Sequence, residues 1–184
     1  IEGIIGSAWR DYFHGSSGAD YFDGGAGNDQ AYGSAGDDTL IGGDGDDWLD
    51  YSEMTAGVSV DLRTGVATGA TLGTDSISGF ENVIGSDHDD TVKAHDDGMD
   101  FWAGAGDDTF FSGAGDGAFW GGDGADTVRY DFATSGVVVD LENQTATGGG
   151  GSDDDSLQGL VDLVPAAPPT AVGGGSTSIG FLDG

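Results

Sequence analysis

Residues 15–50 read GSSGADYFD GGAGNDQAY GSAGDDTLI GGDGDDWLD, four nine-residue repeats without a gap. Each follows G-(G/S)-x-G-x-D-x-U-x, where U is a large apolar residue except at Ala31. The first six residues suit a tight turn. Glycine accepts left-handed backbone that a side chain would penalise, so carbonyl oxygens can converge there. The sixth residue adds a carboxylate. The last three extend as a short strand, with the eighth residue inward. A flexible glycine linker has a similar composition. It does not need an aspartate at a fixed phase with an apolar residue two positions later. Upstream, residues 6–14 (GSAWRDYFH) keep Gly6, Asp11 and Phe13 in register, with Trp9 where glycine belongs, and read as an entry repeat. The inward residues Phe13, Phe22, Ala31, Leu40 and Leu49 then share one narrow core.

This pattern resembles the nonapeptide of the RTX (hemolysin-type) calcium-binding repeat proteins. The resemblance covers residues 6–50 and 85–129. It implies an all-β fold, a right-handed parallel β-roll or β-helix solenoid. Two repeats make one coil, and coils stack at the strand spacing of about 4.8 Å. Calcium, which takes about six to eight oxygen ligands, then sits between turns of neighbouring coils. Odd repeats stack on odd and even on even, giving two rows of ions. The implied calcium positions in the first block are Asp11, Gly15, Gly18, Asp20, Gly24, Gly27, Asp29, Gly33, Gly36, Asp38, Gly42, Gly45 and Asp47. In the second block they are Asp90, Gly104, Gly106, Asp108, Gly122, Gly124 and Asp126. Each ion needs two stacked turns, so the pattern supports about four to eight ions.

Among 184 residues there are 34 acidic and 4 basic side chains, a net charge of −30. Without cations such a chain repels itself and has little apolar surface to compensate. Folding is therefore expected to be coupled to calcium. The same charge speaks against nucleic acid and anionic membranes as partners, because no basic surface is available to meet phosphate. There is no cysteine, so neither disulfides nor thiolate metal sites hold the fold. No apolar run is long enough to span a membrane. No signal-peptide pattern is visible and the chain does not begin with Met, which reads as a piece of something larger. Proteins of the resembled family leave the cell by a one-step route with a C-terminal signal. Residues 179–184 do not read as that signal.

Shifted by 79 residues, the sequence matches itself. Gly42, Gly43, Asp44, Gly45 and Asp47 match Gly121, Gly122, Asp123, Gly124 and Asp126. Tyr51, Gly57, Val58, Val60, Asp61 and Leu62 match Tyr130, Gly136, Val137, Val139, Asp140 and Leu141. Two tandem units follow, each with five nonapeptide slots and a strand-rich connector. The expected divisions are a calcium block at 1–50, a connector at 51–84, a second block at 85–129, a second connector at 130–164 and a Pro/Gly-rich tail at 165–184. Val58, Val60 and Leu62 alternate like a half-buried strand, with a turn at Thr64-Gly65. The connector either widens the solenoid into calcium-free coils or folds as a hairpin against it. The tail reads as a spacer or as a cap on the solenoid's end.

In the second block the first, third and fifth slots keep Asp90, Asp108 and Asp126, while the second and fourth have Met99 and Gly117 at position six. Position eight stays apolar throughout: Val92, Phe101, Phe110, Phe119 and Val128. One calcium row is thus expected through both blocks and the other only in the first. Asp97 and Asp100 are candidates to rescue a site by a one-residue shift. Those two degenerate slots carry Trp102 and Trp120, one coil apart and outward. They suggest a contact surface for polysaccharide, another protein or another copy, or else ordinary packing beneath a neighbouring element.

His14, His88 and His95 lack zinc spacing and are expected to be solvated. No serine lies in a G-x-S-x-G elbow. The expectation is a non-enzymatic, calcium-binding structural module of a secreted or cell-surface bacterial protein, acting as a scaffold, adhesive or assembly element with calcium and self-association as its partners. The alternatives are an accessory domain of a secreted protease, lipase, polysaccharide-modifying enzyme or peroxidase, and a carbohydrate-binding module using Trp102 and Trp120.

Overall fold

Short strands separated by glycine-rich turns have only one way to bury their single inward residue, which is to stack on a neighbouring coil. The computed structural model describes residues 3–148, 154–159 and 162–163, and every element among them is a β-strand. The first block supplies β1 (Ile4–Ile5), β2 (Tyr12–His14), β3 (Tyr21–Ala26), β4 (Gln30–Tyr32), β5 (Thr39–Asp44) and β6 (Trp48–Asp50). The strands alternate between two sheets. In sheet A, β1, β3 and β5 lie parallel, with Phe22 opposite Leu40. In sheet B, β2, β4 and β6 lie parallel, with Phe13 opposite Ala31 and Ala31 opposite Leu49.

The connector does not simply widen a coil, nor does it fold outside the solenoid. Its strands are β7 (Val58–Asp61), β8 (Val66–Gly69), β9 (Gly73–Ser78) and β10 (Asn82–Ile84). β9 lies parallel on β5, and β8 runs antiparallel to both β9 and β7. β7 then lies parallel to β11 (Thr91–Lys93), the first strand of the second block. The hairpin is spliced into sheet A, while sheet B passes directly from β6 to β10. Thr64 and Gly65 lie at the tip joining β7 to β8; Gly65 has φ +70°.

The second block continues with β12 (Asp100–Ala105), β13 (Thr109–Phe111), β14 (Ala118–Asp123) and β15 (Thr127–Arg129). Here β11, β13 and β15 lie in sheet A, and β12 and β14 in sheet B. A second meander, β16 (Val137–Asp140), β17 (Thr145–Gly148) and β18 (Asp154–Gln158), joins sheet B on β14. β19 (Asp162–Leu163) returns to sheet A beside β15.

The core is a file of inward strand residues between the sheets, flanked at the turns and the connector by Tyr51, Val58, Leu72, Phe80, Met99 and Tyr130. Phe13, Phe22, Ala31, Leu40, Leu49, Val60, Ile77, Val83, Val92, Phe101, Phe110, Phe119, Val128 and Leu157 are all buried. Phe101, Phe110 and Phe119 form one aromatic cluster, with ring centroids 5.4–5.8 Å apart. Each such side chain contributes about 1.5–3 kcal/mol by burial, but each short strand offers only one. A core this narrow leaves much of the stability to the turns. The tail at 165–184, read from sequence as spacer or cap, lies outside the described residues, as do residues 179–184.

Candidate metal centre

Each nonapeptide begins with a turn that carries the chain from one sheet to the other. Turns 15–20, 33–38, 85–90, 103–108 and 121–126 lead into sheet A and stack along one edge. Turns 6–11, 24–29 and 42–47 lead into sheet B and stack along the opposite edge.

The position-six carboxylates are strung from coil to coil. Toward sheet B, Asp11 N–H donates to Asp29 Oδ1 (2.8 Å), Asp29 N–H to Asp47 Oδ1 (2.6 Å) and Asp47 N–H to Glu81 Oε2 (2.8 Å). Toward sheet A, Asp20 N–H donates to Asp38 Oδ1 (2.9 Å) and Asp38 N–H to Asp75 Oδ1 (3.0 Å). Beyond the hairpin the file resumes. Val58 N–H donates to Asp90 Oδ1 (2.7 Å), Asp90 N–H to Asp108 Oδ1 (2.7 Å) and Asp108 N–H to Asp126 Oδ1 (3.1 Å). One oxygen of each carboxylate after Asp11 and Asp20, which begin their files, thus reaches back to the preceding coil.

The second oxygen depends on position two of the turn. Where that residue is serine, it supplies a donor. Ser7 N–H donates to Asp11 Oδ2 (2.6 Å), Ser16 N–H to Asp20 Oδ2 (2.6 Å), Ser34 Oγ–H to Asp38 Oδ2 (2.7 Å) and Ser86 N–H to Asp90 Oδ2 (2.6 Å). Where it is Gly25, Gly43, Gly104 or Gly122, no such donor reaches the carboxylate. The Oδ2 atoms of Asp29, Asp47, Asp108 and Asp126 are buried without a hydrogen-bond partner, and so is that of Asp75.

A buried, unpartnered, ionised oxygen is costly, and the protonation equilibria register it. Burial pushes Asp47 up to about 6 and Asp75 and Asp108 up to about 7, with neighbouring carboxylates adding to each shift. Asp90 and Asp126 are raised too, burial being the first cause in both. The phenol of Tyr51, fully buried, is pushed well above its usual value by desolvation and by the charges of Asp75 and Asp38.

These residues fit a hard cation. Among the described residues, no three His, Cys, Asp or Glu side chains gather closely enough to hold an ion alone. Backbone carbonyls must complete any shell, as suits calcium. The glycines bring them close: a Cβ on Gly24 would collide with both Asp29 Oδ2 and the Gly42 carbonyl. At position four, Gly106 has φ +131°, and a Cβ there would lie 2.6 Å from Asp89 N of the coil below.

The alternate slots of the second block differ. Met99 is buried at position six, and Gly117 has no side chain there. Asp97 is exposed, its N–H donating to His95 Nδ1 (3.1 Å). Asp100 Oδ1 accepts from Ala118 N–H of the following coil (3.1 Å), the opposite sense to the position-six aspartates. Neither takes the missing carboxylate's place. Gly117 N–H donates instead to Asp155 Oδ1 (3.2 Å). Asp75, Glu81 and Asp155 are thus members of the files that the sequence reading missed. The available signal was an acid two positions before an inward residue: Asp75 before Ile77, Glu81 before Val83 and Asp155 before Leu157.

Trp102 and Trp120 stack at 4.4 Å with an interplanar angle of 7°. Trp48 joins from the other side of Trp102, also at 4.4 Å, with an angle of 30°. Trp48 lies two strands away, leaning across β10. Both faces of Trp102 are therefore covered by indoles, and what it shows to solvent is its edge. A sugar ring stacks on an open aromatic face, which this arrangement withholds at Trp102. Each stacked pair contributes about 1 kcal/mol beyond burial. Replacing Trp102 by alanine is expected to cost about 2 kcal/mol in the calcium-loaded protein, read by urea denaturation. No loss would mean the stack contributes nothing. His14 stacks on Tyr32 at 3.9 Å on the same sheet face, and His88 is exposed in its turn.

Comparison with known proteins bears on these turns directly. A family model described as the RTX calcium-binding nonapeptide repeat (4 copies) matches residues 4–31, 26–53 and 100–128. No curated protein matches the chain. The matched stretches contain the turns of Asp11, Asp20, Asp29, Asp38, Asp47, Asp108 and Asp126. Residues 4–53 and 100–128 therefore belong to the RTX calcium-binding nonapeptide repeat family, and calcium is the ion that this family binds.

Proposed function

We propose that the chain is a calcium-binding structural module of a secreted or cell-surface bacterial protein. Two tandem units of about 79 residues make a right-handed β-roll that folds on meeting extracellular calcium. Its role is that of a scaffold, adhesive or assembly element, not a catalyst. The observation that carries this reading is the set of buried, partnerless carboxylate oxygens on Asp29, Asp47, Asp108 and Asp126. Beside Asp29 and Asp47 the carbonyls of Gly42 and Gly79 from the next coil crowd the same space. Calcium supplies the positive charge that such oxygens lack. The chain's part is to present oxygens from two coils at once, so that an ion ties one coil to the next. Bound ions also offset part of the net charge of −30, which otherwise drives the chain apart.

Extracellular calcium modules bind at about 10⁻⁴–10⁻³ M. Such an affinity leaves sites empty at cytosolic calcium and fills them outside the cell. Far-UV circular dichroism during a calcium titration, with magnesium as control, tests the reading. The expected result is a cooperative gain of β signal with calcium that magnesium does not produce. A chain equally folded with and without calcium would overturn it.

A further inference from the structure

We propose that turn 70–75 of the first connector holds a divalent cation against turn 33–38, with Asp75 as its carboxylate ligand. The proposal rests on the calcium reading above and extends it beyond the matched repeats, since residues 54–99 lie outside the family match.

Residues 70–78 read ATLGTDSIS, and only Gly73, Asp75 and Ile77 agree with the nonapeptide. The turn joins β8 to β9 within sheet A, not one sheet to the other, yet its contacts with the coil of turn 33–38 repeat those of the nonapeptides. Ser76 and Ile77 pair with Thr39 and Leu40, as Thr39 and Leu40 pair with Tyr21 and Phe22. Gly36 N–H donates to the Leu72 carbonyl (2.7 Å), as Gly27 donates to Asp44 and Gly106 to Asp123, both at 2.9 Å. Thr74 N–H donates to Asp37 Oδ1 (2.9 Å), as Asp107 N–H donates to Asp89 Oδ1 (2.9 Å). Gly73 has φ +111° at position four, and a Cβ there would collide with the Gly36 carbonyl, as one on Gly106 would collide with His88.

The independent observation is the carboxylate itself. Asp75 has no exposed surface, and its Oδ2 has no partner, the condition shared by Asp29, Asp47, Asp108 and Asp126. The Tyr51 hydroxyl is buried and unpartnered as well. Thr71 holds position two of this turn, yet no donor from it reaches Asp75 as Ser34 Oγ–H reaches Asp38. An ion here clamps the inserted meander to the first block, where β9 meets β5.

Asp75→Asn tests the proposal. The amide keeps an oxygen to accept from Asp38 N–H and removes a buried charge, so the fold is expected to survive. Calcium bound at saturation is counted by equilibrium dialysis with atomic emission, for the wild-type chain, for Asp75→Asn and for Asp108→Asn. The expected result is one ion fewer per chain in each variant. An unchanged count in Asp75→Asn, with a loss in Asp108→Asn, overturns the proposal and leaves the calcium reading standing. A wild-type chain that binds no calcium overturns both. Should Asp75→Asn not fold, crystals of the wild-type chain grown with calcium decide by anomalous scattering. A peak between turns 33–38 and 70–75 supports the site. Peaks at the repeat turns with none at Asp75 refute it.

Discussion

Acidified from about pH 8 to about pH 5.5, the metal-free chain is expected to gain β structure, and the calcium needed for half-saturation is expected to rise. Both effects come from the same carboxylates. In the folded, metal-free form burial holds Asp47 near 6 and Asp75 and Asp108 near 7, against about 3.8 for the free side chain. Folding therefore takes up protons between those values. A group with a raised folded-state pKa favours the folded form fully below its unfolded value, and that contribution is lost as pH rises through the folded value. The loss runs from about pH 4 through pH 7 and is complete near pH 8, where all three groups would have to be buried and ionised. Protons and calcium thus compete for the same oxygens. At neutral pH, chelation is expected to leave a largely unfolded chain. Circular dichroism of the chelated protein across this range checks the first effect, and calcium titrations at its two ends check the second. A metal-free β signal that is flat or falls on acidification would show that these carboxylates do not oppose folding.

The second large effect concerns two glycines that occupy the same place in the motif. Gly106→Ala is expected to destabilise the calcium-loaded protein by about 3–5 kcal/mol, while Gly18→Ala is expected to stay within about 0.5 kcal/mol. Both are position-four glycines. Gly106 has φ +131°, and a Cβ would fall 2.5 Å from His88 C and 2.6 Å from Asp89 N. Those are backbone atoms of the coil below, which cannot swing away as a side-chain tip can. Strained dihedral and overpacking add together, and the coils must part. Gly18 has nothing within 4 Å of an added Cβ and no left-handed φ. Urea denaturation of the two variants in saturating calcium measures the difference. Equal losses would mean that the motif's glycines matter for chain flexibility and not for close approach of stacked turns.

The nonapeptide phase was legible because it acts twice on each residue. An aspartate two positions before an inward side chain sets both the turn and the strand, so Phe22, Leu40, Leu49 and Phe110 could be placed in the core from spacing alone. The loss of the carboxylate at Met99 and Gly117 was equally plain. Asp75 was hidden because its turn keeps only one motif glycine, and its likeness to the others lies in backbone hydrogen bonds that many sequences can make. Trp48 was hidden from the indole stack because it sits at position seven rather than nine. Its contact skips a strand, which depends on the height of side chains on β10. The division of the carboxylates by serine or glycine at position two was present in the letters. Its meaning needed to know that Oδ1 is already taken by the neighbouring coil.

The two inserted meanders carry a consequence for curvature. β7 and β8 add two strands to sheet A with no counterpart in sheet B, a surplus of about 10 Å on one flank. Alone, such a keystone would turn the stack into an arc. β16 and β17 add their two strands to sheet B instead. The flank changes because an odd number of half-coils separates the insertions: β10, β11, β12, β13, β14 and β15 bring the chain back to the other side. Because β16 ends sheet B among the described residues, a coil stacked on it would be tilted the opposite way from the first insertion. Were the number of slots between them even, both would lean the same way and the rod would curl.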